Sequence, residues 1–169
     1  MNFRRSFLAC VVALSGLLCA SAFALDTPTG RPILTVSGAI SKPNAGAVAK
    51  LDMKMIEALP QQTFTTRTPW YDKPVTFTGP LLADVVAAVG GKGSALSATA
   101  INDYTITIPM DDVNARKVIM ARLIDGKPIP VREKGPLFVV YPFDSDAALR
   151  TSVFYERSIW QLKAMEVKP

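Results

Sequence analysis

Hydrophobic residues along this chain recur in short runs, most with a period of two and one with a clear helical spacing. In ILTVSGAI (33–40), Leu34, Val36 and Gly38 oppose Thr35 and Ser37, the alternation of a half-exposed strand. SKPNAG (41–46) reads as a turn. Asp52 stands where it would N-cap a short helix through Leu59, which Pro60 ends. QQTFTTRT (61–68) and PVTFTG (74–79) are β-branched and aromatic and read as strands. GPLLADVVAAVGG (79–91) is the clearest helix, with Pro80 in its first turn and Leu81, Leu82, Val85, Val86 and Val89 on one face. Gly90-Gly91 follow where a left-handed residue closes a helix.

The second half continues in the same manner. INDYTITIPM (101–110) alternates and places Tyr104, Ile106 and Ile108 on one buried face. MDDVNAR (110–116) is a helical turn, with the Asp111-Asp112 carboxylates favouring a helix start rather than a metal pair. KVIMARLIDGKPIP (117–130) predicts a strand running into an Asp125-Gly126 turn. GPLFVVYP (135–142) is a buried strand between prolines, and FYERSIWQLKAMEVK (154–168) closes the chain as another strand. Strands thus dominate, joined by a few short helices, and the expected class is a single mixed α+β domain spanning 33–169.

Residues 1–24 break this pattern. Arg4 and Arg5, an apolar run and then Ala22-Phe23-Ala24 follow the order of a secretory signal peptide cleaved near Ala24. The run is interrupted by Ser15 and Gly16 and is short for a membrane anchor, and Leu18 is too bulky for lipid attachment at Cys19. The expected product is periplasmic or secreted, with a polar, flexible lead-in over 25–32.

Composition narrows the chemistry. The chain has no His, and its two cysteines, Cys10 and Cys19, both lie in the leader. The processed chain therefore has neither thiolate nor imidazole, which removes disulfides, Cys/His zinc sites and Ser-His-Asp or Cys-His catalysis. The net charge of +5 is spread along the chain, without the basic stripe of a nucleic-acid binder.

Several segments, taken in order, resemble the molybdopterin-binding oxidoreductase domain of the sulfite oxidase family. They are ALPQQTFTTRT (58–68), TFTGPLLADVV (76–86), INDYTITIPMDDV (101–113), VIMARLIDGKPIP (118–130), KGPLFVVYP (134–142) and SIWQLKAMEV (158–167). The resemblance covers roughly residues 33 to 167 and rests on their joint order, since no one motif is specific. It implies a β-rich sulfite-oxidase-like fold. It also implies a Cys ligand to molybdenum within Thr66 to Thr68, where this chain has none, and an Arg after Gly135-Pro136, where Leu137-Phe138 stand. The expectation is the family's fold without its redox reaction and without a cofactor. The alternative is an oxidoreductase that holds molybdopterin with no protein ligand to the metal.

Candidate site residues follow from these positions. Arg67 falls where the metal ligand is expected, flanked by Thr66 and Thr68; it reads as an anion-binding guanidinium or as a solvated residue on an exposed strand. Trp70-Tyr71 form an aromatic platform for a planar ligand or a lid on the core. Arg122, within an apolar strand, needs a carboxylate partner, a bound anion or an exposed face. Arg132, Lys134 and Arg150 read as solvated charges, Arg157 as a partner for a neighbouring carboxylate, and FDSDA (143–147) as an oxygen-rich loop. The expected ligand is a small anionic or planar molecule. A periplasmic or membrane protein partner, which would make the chain a sensor or interaction module, is the other reading.

Overall fold

The computed structural model describes residues 25–169. The leader reading, its cleavage point and both cysteines lie outside the described residues. Among the described residues eleven strands and four short helices alternate. Strand β1 (Leu34–Gly38) is followed by β2 (Ala49–Leu51), helix α1 (Met53–Ala58), β3 (Gln61–Thr68) and β4 (Tyr71–Pro80). Then come α2 (Leu82–Ala88), β5 (Ala95–Ala100), β6 (Thr105–Pro109), α3 (Met110–Ala115), β7 (Ile119–Ala121), β8 (Leu123–Ile124) and β9 (Lys127–Pro128). Strand β10 (Phe138–Val140), a 3-10 turn at Ala147–Leu149, α4 (Ser152–Arg157) and β11 (Leu162–Lys168) complete it. This is the mixed, strand-rich α+β domain that the sequence predicts.

Three sheets share the core. The largest runs β2-β1-β11-β5-β6, with the first and last long strands, β1 and β11, side by side and parallel. The second runs β3-β4-β8-β9, and β10 pairs with β7 in the third. The β3–β4 ribbon explains the Thr-rich stretch. Thr63 faces Thr78 and Thr65 faces Thr76, with hydroxyls 2.9 and 2.8 Å apart. Such cross-strand pairs each add a few tenths of a kcal/mol up to about 1 kcal/mol to an exposed sheet face. Gly79 is required where β4 passes β7, because a Cβ there would collide with the Met120 carbonyl oxygen.

Helix ends follow their local signals. The Asp52 carboxylate accepts from the Met55 N–H at 2.9 Å, capping α1, and its second oxygen accepts from the Gly30 N–H at 2.7 Å. Those two backbone donors hold its pKa below the ordinary carboxylate value. The bond to Gly30, with one from the Asn44 side chain to the Asp26 carbonyl at 2.7 Å, ties the lead-in 25–32 to the domain. At the end of α2, Gly90 has φ of 64°, and the N–H groups of Gly90 and Gly91 donate to the carbonyls of Ala87 and Val86. That is a Schellman motif, and it needs a residue free to enter the left-handed region.

Four expectations change. Pro80 ends β4 rather than opening α2, because β4 is longer than PVTFTG and runs from Tyr71. Tyr104 leaves the core: it is 47% exposed at the turn before β6. The predicted strand from Lys117 to the Asp125-Gly126 turn divides into β7 and β8, which pair in different sheets with Arg122 at the junction. The closing segment is not one strand. Residues Ser152–Arg157 form α4, Gln161 takes a positive φ of 52°, and pairing in β11 starts only at Leu162. The left-handed residue interrupts the alternation, so Ile159 and Leu162 are buried while Trp160 faces out.

Candidate functional site

Two clefts open beside the end of β3, and Tyr155 of α4 lines both. The larger, about 400 Å³, is bounded by Trp70, Tyr104, Tyr155, Trp160, Asn102 and Glu156, with Ala100, Ser158 and Ile159 between. The smaller, about 240 Å³, is bounded by Arg67, Thr68, Pro69, Asp144, Arg150 and Tyr155. The first is aromatic and the second is polar.

Trp70 organises the larger cleft. It follows Pro69 in the tight turn between β3 and β4, and its N–H donates to the Thr68 hydroxyl at 3.3 Å. Its ring is half-buried and meets Phe138, Phe143, Tyr155 and Trp160 with centroids 5.5, 6.2, 6.1 and 5.6 Å away. Inter-ring angles lie between 64° and 81°, the edge-on arrangement that aromatic quadrupoles favour. Trp70 is therefore both a lid on the core, through Phe138 and Phe143, and a wall of the cleft. Trp160 is 37% exposed, and the Lys134 ammonium lies 4.8 Å from its ring centroid. Lys134 is thus held by an aromatic face rather than simply solvated.

The smaller cleft is built on Asp144. Its carboxylate accepts from the Arg67 backbone N–H at 2.8 Å and from Arg150 Nη2 at 3.0 Å, and the Arg67 guanidinium stands 3.8 Å away. Arg150 also donates from Nε to the Phe143 carbonyl at 3.1 Å, which corrects its reading as a free surface charge. Thr66 is buried beneath, its hydroxyl accepting from the Asp144 N–H at 2.9 Å. Two guanidiniums and one carboxylate leave the cleft with a local excess of one positive charge.

Of the residues singled out from sequence, Arg67 and Thr68 line the smaller cleft and Trp70 the larger. Thr66 supports Asp144 from below. Tyr71 and Arg122 line neither. Tyr71 packs on Phe77 at 6.3 Å, and burial, with Glu133 and Asp125 nearby, raises its pKa above the ordinary tyrosine value. Arg122 found the carboxylate partner that its apolar strand calls for: Nη1 donates to Glu57 Oε1 at 3.1 Å and Nε to Gln61 Oε1 at 3.0 Å. Arg157 pairs with Asp112 at 2.7 Å. Asp146 caps the 3-10 turn. Among the described residues no group of three or more His, Cys, Asp or Glu could hold a metal ion, and no helix is long and apolar enough to cross a membrane.

Sequence reasoning missed Tyr155, Glu156, Trp160, Arg150 and the outward turn of Tyr104. The available signal was the aromatic density of FYERSIW together with the scarcity of tryptophan, which occurs twice in the chain.

Fold and clefts together make a strand-rich, mixed α+β domain with an aromatic cleft at the end of β3. Among solved structures, the sulfane dehydrogenase SoxCD from Paracoccus pantotrophus is similar to it, with a TM-score of 0.61 and 16% sequence identity. The match covers 80% of this chain and 37% of that chain, so the present chain spans little more than a third of that structure's length. A likeness at this identity shows the fold. No family model and no curated protein matches the chain.

At the positions where the resemblance puts a thiolate and a pocket arginine, the residues present are engaged within the protein. At the place of the thiolate, the Thr66 hydroxyl is engaged by Asp144 and the Arg67 N–H by the same carboxylate. At the place of the pocket arginine, Leu137 and Phe138 are fully buried, with Phe138 against Trp70 and against Phe77 at 5.9 Å. Arg122 is engaged with Glu57. Hard hydroxyl oxygens and filled aromatic space replace a soft ligand and a free cation.

Proposed function

We propose that this chain is an exported binding module on a sulfite-oxidase-like scaffold, without redox chemistry of its own. Its larger cleft takes a small planar or apolar ligand. The observation that carries this reading is a concavity of about 400 Å³ walled by both tryptophans of the chain, with Tyr104 and Trp160 47% and 37% exposed. Leaving a large aromatic side chain in water forgoes about 1.5–3 kcal/mol of burial. Exposed aromatics gathered around one concavity, rather than scattered singly, are the usual mark of a binding surface. The neighbouring Arg67–Arg150 cleft supports an anionic group on such a ligand, because Asp144 neutralises only one of the two guanidiniums. Export is supported by the order of basic, apolar and small residues in 1–24, and the mature protein should begin at Leu25 on N-terminal sequencing.

Anilinonaphthalene sulfonate, a planar anion, tests the placement through energy transfer from the tryptophans. Saturable binding to the folded protein is expected, weakened about tenfold by Trp160→Ala. Binding that ignores this substitution would remove the cleft from consideration. Metal analysis of protein recovered from its native compartment should find no stoichiometric molybdenum; finding it would overturn the non-redox reading.

A further inference from the structure

We propose that the aromatic cleft selects a cation of the alkylated ammonium class, enclosed by Trp70, Tyr155, Trp160 and Tyr104 and countered by Glu156. This rests on the reading of the larger cleft as a binding site and changes its ligand from a planar molecule to a cation whose apolar methyl groups meet the rings.

The geometry comes first. Trp160 and Tyr155 both meet Trp70 nearly at right angles, at 79° and 81°, with centroids 5.6 and 6.1 Å away. Tyr104 adds a fourth ring to the same cavity. Four aromatic side chains thus line one cavity, two of them held nearly at right angles to a third. The negative face of each ring attracts a cation, most strongly one whose weak hydration makes its transfer from water inexpensive, as with trimethylammonium groups.

The charge inventory points the same way. Among the described residues Glu156 is the one carboxylate lining the cleft, and neither Lys nor Arg lines it. Among the described residues Glu156 makes no ion pair, and the cationic side chain next to it in sequence, Arg157, is taken by Asp112. An unmatched carboxylate at the rim of an aromatic cavity complements a positive ligand. The protein already uses the same attraction internally, with Lys134 on Trp160 and both Arg116 and Arg157 over Phe154 at 4.9 and 5.6 Å. The sequence-based expectation of an anion thus applies to the Arg67 cleft, and the larger cleft has the opposite preference.

Both tryptophans line the cavity, so intrinsic fluorescence reports occupancy directly. The folded protein is titrated with choline chloride and, separately, with dimethylbutanol, the neutral carbon isostere of choline, at matched ionic strength. Choline should bind roughly tenfold more tightly than the isostere. Glu156→Gln, a change on an exposed side chain, should weaken choline about threefold and leave the isostere unchanged. Trp160→Leu should weaken both. Equal affinity for the two probes, or indifference of choline to Glu156→Gln, overturns the cation class. If choline fails while anilinonaphthalene sulfonate still binds, the cation class falls alone. Failure of all three probes overturns the binding reading as well.

Discussion

Asp112 and Asp144 each gather two arginines, yet the two clusters do different things. The Asp112 carboxylate is 8% exposed and accepts from Arg116 Nε at 2.9 Å, Arg157 Nη1 at 2.7 Å and the Tyr141 hydroxyl at 3.1 Å. Asp144 is 26% exposed, and its partners Arg67 and Arg150 are 75% and 49% exposed. The chemistry is the same and the burial differs. Through Arg157 the first cluster fastens α4 to α3 and β10's extension, which sets where Tyr155 and Glu156 stand. The second holds its guanidiniums loosely at the wall of a cleft. A buried carboxylate with satisfied partners is architecture, because losing it strands charges in a poorly hydrated place. An exposed one exchanges its partners with water at little cost.

The largest expected effect breaks the buried cluster. Asp112→Ala should lower unfolding free energy by about 3 kcal/mol in urea titration, and should abolish probe binding in the aromatic cleft as α4 loses its anchor. If Asp144→Ala costs as much, the distinction drawn from burial is wrong.

Alkaline unfolding is next in size. Burial, and then the adjacent Asp112 carboxylate, raises the Tyr141 pKa far beyond the tyrosine range. A folded-state pKa above the unfolded one means that the contribution is fully present below the unfolded value, near 10, and is lost as pH rises past it. The native protein should therefore lose about 1.4 kcal/mol per pH unit through this group above about pH 10. Tyr141→Phe should flatten that limb of the stability–pH profile, and an unchanged slope would show that Tyr141 ionises freely when folded.

The smallest effect belongs to the exposed cluster. Asp144→Ala should cost about 1 kcal/mol, from a lost backbone hydrogen bond and two weak ion pairs. It should also tighten anilinonaphthalene sulfonate about threefold by freeing Arg67 and Arg150. A loss of dye affinity would mean that Asp144 positions those guanidiniums rather than neutralising them.

Much of the fold was legible where the signal is local. The Asp52 cap, the Pro60 stop, the stripe of α2 with its Gly90 close, and the Asp125-Gly126 turn all appear as read. Asp125 and Gly126 have φ of 49° and 75°, the positive pair that a tight hairpin turn demands. Three strands escaped notice. Ala95–Ala100 is made largely of small residues, and Ala49–Leu51 and Lys127–Pro128 are too short to show a period. Of the site, Arg67, Thr68 and Trp70 were found through their place in the chain. Trp160 and Tyr155 were hidden because an alternating run concealed both a helix and a left-handed residue.

Local preferences were set by the sequence alone: the periods that make strands and helices, the residues that cap them, and the absence of imidazole and, beyond residue 19, of thiolate. Those depend on neighbours a few positions away, which a linear reading can see. The cleft depends on something else. Trp70, Tyr104, Tyr155 and Trp160 come from separate elements, and they meet because three sheets and α4 pack on one core. Whether Arg122 serves a ligand or Glu57, and whether Trp70 seals the interior or walls a cavity, was decided by that long-range packing, since a side chain's partners are whichever groups the folded chain brings within a few ångströms.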